Sequence, residues 1–354
     1  MAHPKARRLA MLINKLLFLI CFTLVFTSSG FADSPKTGKI LGGTEVVYPE
    51  WFKESFLDFR EDSAEAAESG KHLLLFFHVA GCPYCKKMLD DNFIAGENSK
   101  TVQENFDAIE IDLKGSKEIA FNEKMTVSES DLGKVLAVHY TPTILFMDAE
   151  NKVVARLNGY RSPREFKQVL NFVKDKAYKT MDLASYRQKH VTDSVYTLKD
   201  DSRYLPAKQA TNLQKLAQQD KPLMLLFEDK SCDECERFHK EILDLEATTE
   251  ILKKYNLVRL DALSDAELID IKGNKTTAKK WLAKRNISYR PAVFLYSEGK
   301  EIEKVTGLLK SFHFQQLLKF VAEKQYTKFD TWIGYVGEQS NKILKSGKDI
   351  DIWK

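Results

Sequence analysis

The chain alternates continuous apolar runs with stretches in which apolar residues recur at helical spacing. Leu73-Leu74-Leu75-Phe76-Phe77 is apolar without a break, which predicts a strand over 72–78 covered on both faces. Residues 106–113 alternate and predict a second strand. Residues 143–147 and 152–157 predict two more, joined by a hairpin turn at Ala149-Glu150-Asn151. Helical periodicity marks 51–69, where Trp51, Phe52, Phe56, Phe59, Ala66 and Ala67 share a face. It also marks 82–93 and 117–139, the latter with Ser128 as a cap. Ser162-Pro163-Arg164-Glu165 is a capping box with proline at the first helical position, so a helix is expected to run to about residue 177.

The same order then recurs. Strands are predicted near 222–228, 255–261, 292–297 and 301–306, and helices near 233–254, 275–286 and 311–325. The run Leu223-Met224-Leu225-Leu226-Phe227 precedes Cys232-Asp233-Glu234-Cys235, as Leu73 to Phe77 precedes Cys82-Pro83-Tyr84-Cys85. In each half a proline, Pro142 or Pro291, opens a later apolar run. The offset is 150 residues at the first cysteines and 149 at the prolines. Gly159 matches Gly307, Phe166 matches Phe314, and Tyr178-x-x-Met181-Asp182 matches Tyr326-x-x-Phe329-Asp330. A fixed period of this length implies duplicated domains. The expected organisation is a signal over 1–32, a flexible leader over 33–50, a first domain over 51–189, a polar linker over 190–208 and a second domain with a helical tail over 209–354.

Charge and cysteine usage narrow the class. Lys5, Arg7, Arg8 and Lys15 precede an eleven-residue apolar stretch, Leu16 to Phe26, and small residues follow as far as Ala32. This is the layout of a secretory signal cleaved after Ala32. A membrane-spanning helix needs roughly 20 apolar residues, so an uncleaved inner-membrane anchor is the weaker alternative. Bulky Ile20 ahead of Cys21 argues against lipid attachment there. Without the signal's four basic residues the chain has 50 basic and 50 acidic side chains, which excludes a whole-protein basic footprint for nucleic acid. Loss of Cys21 leaves only the two Cys-x-x-Cys pairs, so no scattered disulfide framework staples the fold. Two thiols three residues apart at a strand-to-helix turn can cycle between dithiol and disulfide.

Strand, Cys-x-x-Cys helix, strand, helix, then a proline-led hairpin and a closing helix is an order that resembles the thioredoxin fold in each half, an α/β class with a central mixed sheet and helices on both faces. The first half is most similar to exported thioredoxin-like proteins of bacterial sulfur-oxidation and disulfide-reduction systems. Trp51 to Phe56, Gly81-Cys82-Pro83-Tyr84-Cys85-Lys86 and Tyr140-Thr141-Pro142-Thr143 carry that likeness, which extends over about 50–180 and more loosely over 205–340. The resemblance implies that Pro142 and Pro291 are cis and lie beside the cysteines, where the backbone of Thr141 and Arg290 pairs with substrate. It implies a periplasmic thiol–disulfide oxidoreductase acting on protein disulfides, with no bound cofactor because the cysteines carry the electrons. A membrane thiol-transfer protein is the expected donor, and the membrane is otherwise involved only through an uncleaved signal.

The first cysteine of each pair opens a helix, where unpaired amides favour a thiolate, so Cys82 and Cys232 are the expected nucleophiles. Cys85 and Cys235 resolve the mixed disulfide. Lys86 and Lys87 follow the first site whereas Asp233, Glu234 and Glu236 surround the second. That contrast predicts a lower thiol pKa at Cys82 and electron flow from the second domain to the first. The chain departs from thioredoxin itself: Gly81 and Ser231 replace a tryptophan, and Phe76 and Leu226 stand where a buried acid is expected. His78 and Glu228, each four residues before the first cysteine, are candidate proton shuttles; the plainer readings are a partly buried strand-end histidine and a solvated strand-end charge. Two other classes fit the motifs less well. One is a binding or chaperone platform; the other is copper or zinc handling through the thiolates, although no Met-rich or His-rich segment supports it.

Overall fold

The computed structural model describes residues 37–43, 45–190, 195–198, 200–232 and 234–353. The expected signal, 1–32, lies outside them. Among the described residues no helix is long and apolar enough to cross a membrane.

Each half is built on a four-stranded mixed sheet. In the first, β1 (His72–His78), β2 (Phe106–Asp112), β3 (Thr143–Met147) and β4 (Val153–Asn158) lie in the order β2-β1-β3-β4. β1 runs parallel to β2 and antiparallel to β3, and β4 returns antiparallel beside β3. In the second, β5 (Leu223–Glu228), β6 (Asn256–Asp261), β7 (Ala292–Ser297) and β8 (Lys300–Val305) repeat it as β6-β5-β7-β8. Every residue of β1 and of β5 is buried, because alternate side chains feed two different cores. Leu74 and Phe76 face the core under the helices Pro83–Leu89 and Pro163–Lys174, while Leu73, Leu75 and Phe77 face the helix Phe59–Glu68. Met224 and Leu226 divide from Leu223, Leu225 and Phe227 in the same way. An uninterrupted apolar run is what a strand with two covered faces requires.

Caps place the helices as expected at two points. The Ser162 hydroxyl accepts the Glu165 N–H ahead of Pro163, and the Ser128 hydroxyl accepts that of Asp131. Other expectations give way. The 51–69 helix begins only at Phe59, because Asp58 takes the Arg60 and Glu61 N–H groups on its side chain and ends an extended approach. Trp51 and Phe52 instead pack against Phe93 as loop residues, and Phe56 is exposed. The 117–139 helix is a hairpin, Glu118–Asn122 with Met125–Ser128, followed by the short helix Glu129–Val135. The 275–286 helix likewise begins with a strand, Lys275–Thr277, paired to Glu267–Ile269. In the first hairpin only Ile119 is fully buried, with Phe121 and Val127 half-covered beside it, and in the second only Leu268 among the apolar residues is buried, so the strands are too short for their alternation to stand out. The 233–254 helix is broken by a π-helical turn at His239–Leu243, as the first Cys-x-x-Cys helix is at Asp90–Ile94.

The leader and linker are not free connectors. Ile40–Leu41 pairs in parallel with Ile350–Asp351 at the other end of the chain, and Trp353 packs on Tyr84. The linker residues Val195 and Tyr196 both donate to the Lys230 carbonyl, which lays them over the second Cys-x-x-Cys site. The tail helix Trp332–Lys345 packs on the second domain through Trp332, Tyr335 and Val336, as expected. The domains meet at Gly159 and Gly307, equivalent positions in the repeat, whose Cα atoms leave no room for a side chain on either. Around that contact Arg161 donates to the Thr306 carbonyl (2.7 Å) and stacks on Tyr289, while Tyr140 donates to the Lys304 carbonyl (3.1 Å).

Candidate active site

Both Cys-x-x-Cys pairs are disulfides at the end of a central strand, with Cα–Cα separations of 5.3 Å (Cys82–Cys85) and 5.5 Å (Cys232–Cys235). Cys82 is the N-cap of its helix, and its Sγ accepts the Cys85 N–H at 3.1 Å. The same N–H is in place to hold a thiolate when the bond is reduced. Thr141–Pro142 and Arg290–Pro291 are cis. The Thr141 hydroxyl lies 3.4 Å from Cys82 Sγ, so the structure brings cysteine and cis-proline loop together in the first domain.

The second domain uses the equivalent residue differently. Arg290 is buried and turns to Asp229, with Nε 2.8 Å from the carboxylate. Burial lowers the Arg290 pKa, and works against ionisation of Asp229 too, but the guanidinium and the Ser231 hydrogen bonds hold Asp229 below its usual value. Arg290 therefore serves an internal ion pair and presents no hydroxyl to the disulfide.

The charges that separate the sites in the sequence are largely compensated. Lys86 pairs with Asp90 and Lys87 with Asp91, and Glu234 pairs with Arg237. Asp233 lies outside the described residues. Access is the larger difference. Cys82 is 5% exposed and forms part of the wall of a cavity of about 460 Å³ between the domains. Cys232 is 3% exposed and lies with Cys235 under Tyr196 and Leu198 of the linker.

The two candidate shuttles hold matching places. His78 Nε2 is 2.7 Å from Glu110 on the neighbouring strand, and this hydrogen bond lowers the Glu110 pKa. Glu228 is wholly buried and not a solvated charge: His239 Nε2 lies 2.7 Å away and the Tyr196 hydroxyl donates to it at 3.2 Å. Each site thus has a histidine–glutamate pair with the two types exchanged, the strand-end member buried and its partner half-buried. A tyrosine attends each pair, Tyr48 packing on the His78 ring and Tyr196 bonding Glu228. Burial, reinforced by the neighbouring carboxylate, raises both phenol pKa values. Glu110, His239, Tyr48 and Tyr196 were not singled out from the sequence. The tyrosines are 148 residues apart, the offset of Gly159 and Gly307, which is the signal that marks them.

One further group crosses between domains. The Tyr84 hydroxyl, inside the first motif, accepts the Lys310 N–H at 3.0 Å and is hydrogen-bonded to His313 Nδ1 at 3.3 Å. Burial pushes Tyr84 up to about 12 and His313 down to about 4, so both are neutral near pH 7.

The family model for the thioredoxin-like domain matches twice, over residues 59–174 and 209–322. No curated protein matches the chain. Similar solved structures include a thioredoxin-fold protein from Helicobacter pylori (27% identity, 34% of this chain and 84% of that one, TM-score 0.31). Others are a thioredoxin from Thermus thermophilus (24%, 33% and 83%, TM-score 0.26) and the C-terminal domain of Neisseria meningitidis DsbD (18%, 29% and 82%, TM-score 0.23). Two Cys-x-x-Cys disulfides in such domains equip the chain for thiol–disulfide exchange in the general sense. Matched over both halves, each with its cysteine pair and cis-proline, the chain belongs to the thioredoxin-like domain family.

Proposed function

We propose that the protein is an exported reductase of protein and peptide disulfides, working in the periplasm, with Cys82 as the nucleophile that meets substrate. The observation that carries this reading is the placement of Cys82 Sγ: it is held by the Cys85 N–H, lies beside the Thr141 hydroxyl and the cis-proline, and borders a cavity. The Cys82 thiolate attacks one sulfur of the substrate, and Cys85 then attacks Cys82, releasing the substrate dithiol. The Cys232–Cys235 pair, covered by the linker, stores two electrons and passes them to the first site. No bound cofactor takes part, and a membrane thiol-transfer protein restores the dithiols. His78 and Glu228 move the proton that the resolving cysteine gives up, each through its half-buried partner, Glu110 or His239.

The test is insulin reduction by residues 33–354 with dithiothreitol as donor. Cys82→Ser is expected to abolish turnover, and Cys232→Ser to leave dithiothreitol-driven turnover largely intact. Full activity in Cys82→Ser would overturn the assignment. Reduction potentials near about −270 mV support a reductase, whereas values near about −120 mV mark an oxidant and reverse the direction.

A further inference from the structure

A second cavity, lined by neither cysteine pair, opens where the helix Leu183–His190 of the first domain meets the second domain. Arg187 enters its wall from that helix. Asp229, Lys230 and Ser231 come from the loop ahead of Cys232, Lys279 from the helix Ala278–Lys284 and Arg290 from the cis-proline loop. The described wall thus carries four cations and one carboxylate. Arg187 and Arg290 are both buried. Burial, opposed by Asp229 and aided by the charge of Arg187, lowers the Arg290 pKa, so the two guanidiniums are near neighbours. Asp229 takes Nε of Arg290 and the Ile287 and Tyr289 carbonyls take Nη1, which leaves Nη2 for the cavity. Glu165 stands 3.6 Å from Arg187 and Asp265 3.4 Å from Lys279, both longer than a close charge-assisted bond. Among the described residues no carboxylate pairs with Lys230. Buried cations that are not fully answered are costly, and guanidinium forks match the oxygens of phosphate and sulfate. At about 210 Å³ the cavity is smaller than the roughly 300–1,000 Å³ of sites for organic ligands, which points to a small ion.

We propose that this cavity binds a tetrahedral oxyanion, inorganic phosphate or sulfate, held by Arg187, Lys230 and Arg290. Both oxygens of Asp229 are already engaged, one by Ser231 and the other by Arg290, so that carboxylate is largely answered within the protein. A dianion gains more than a monoanion from the cations that remain, and tetrahedral oxygens reach groups that enter from different walls. Because the walls come from both domains, the ion ties the helix Leu183–His190 to the loop that carries Cys232 and to the cis-proline loop of the second domain. The ion takes no part in thiol exchange, so the site stands whichever way electrons flow.

The experiment is isothermal titration of the full chain, with both disulfides formed, against sodium phosphate, sodium sulfate and sodium acetate at pH 7.5. Ionic strength is held constant with sodium chloride, so that general screening is equal in the three arms. Phosphate, sulfate or both are expected to bind one to one with a Kd below about 1 mM, and acetate at least tenfold more weakly. Tighter binding of phosphate marks a phosphate site, tighter binding of sulfate a sulfate site, and equal affinities a general tetrahedral oxyanion site; each supports the proposal. The bound ion should also raise the Tm in a saturable way. Arg187→Gln and Lys230→Gln, on opposite sides of the seam, should each weaken binding at least fivefold. Lys100→Gln, on the exposed face of the first-domain helix Glu97–Asn105, should leave it unchanged. The Lys230 side chain is exposed, so Lys230→Gln decides the matter even if Arg187→Gln does not fold. No saturable binding of phosphate or sulfate up to about 10 mM, acetate bound as tightly as either, or full affinity in Lys230→Gln would overturn the proposal. None of these outcomes bears on the reductase reading, which is tested by insulin reduction.

Discussion

Gly307→Ala should open the seam between the domains. Gly307 does not occupy the left-handed region, so alanine adds no backbone strain of its own. Its methyl group would, however, sit 3.1 Å from Gly159 Cα and well inside contact distance of the Asn158 carbonyl oxygen. Carbon–oxygen contacts normally settle at about 3.3–3.6 Å, so these backbones must part by about 1 Å. A shift of that size breaks the Arg161 bond to the Thr306 carbonyl and the Tyr140 bond to the Lys304 carbonyl. The first is a charge-assisted bond, about 1.5–3 kcal/mol, and the second is about 0.5–1.5 kcal/mol. Together they weaken the seam by about 2–4.5 kcal/mol, which raises the open population by about 30-fold to 1,600-fold. Cys82 is screened in the closed arrangement, so its alkylation by iodoacetamide in the reduced protein should speed up by a similar factor. Gly337→Ala, on the tail helix with open space around it, is the control and should change nothing. An unchanged alkylation rate in Gly307→Ala, with unchanged small-angle scattering, would refute the reasoning.

His313 gives the protein an acid limit. Its folded pKa, about 4, lies below the unfolded value near 6.5, so its contribution is complete above pH 6.5 and is lost as pH falls toward 4. The loss is on the order of 3 kcal/mol, and urea titrations at pH 7, 5 and 4 should show a flatter profile in His313→Gln. Tyr196→Phe removes one of the two hydrogen bonds to buried Glu228 and should cost the second domain about 1–3 kcal/mol, read as a lower Tm. Arg290→Ala leaves Asp229 buried without its cation and should cost about 3–5 kcal/mol in urea unfolding. The double variant Arg290→Met, Asp229→Leu should regain most of that loss; no recovery would show that the arginine acts through something other than the pair.

The sheets were legible because their centres carry dense local information. The continuous runs at 73–77 and 223–227 can only be strands with two covered faces, and the observed bounds fall within a residue of those expected. The caps at Ser128 and Ser162 were legible for a similar reason, since a hydroxyl binding an amide three residues on is local chemistry. The seam was not legible. Gly159 and Gly307 were visible as a matched pair, but nothing local says that one faces the other. The burial of Glu228 was missed for the same reason. Its partners His239 and Tyr196 come from the turn after the cysteine helix and from a linker whose polar composition suggests exposure. The charge contrast around the two motifs was visible, but the sequence alone did not show that Asp90, Asp91 and Arg237 answer it.

The parallel pairing of Ile40–Leu41 with Ile350–Asp351 makes the described chain a closed loop. Two covalently linked domains ordinarily have one hinge and one free edge; here the free edge is clasped. A single backbone nick between the domains, for instance after exposed Lys189, would not release either half, because the seam and the clasp still hold them. The paired segments Ile40–Leu41 and Ile350–Asp351 also meet at one pole, where Trp353 packs on Tyr84 of the first motif. A label placed on either of these two segments is thus held next to the same redox centre.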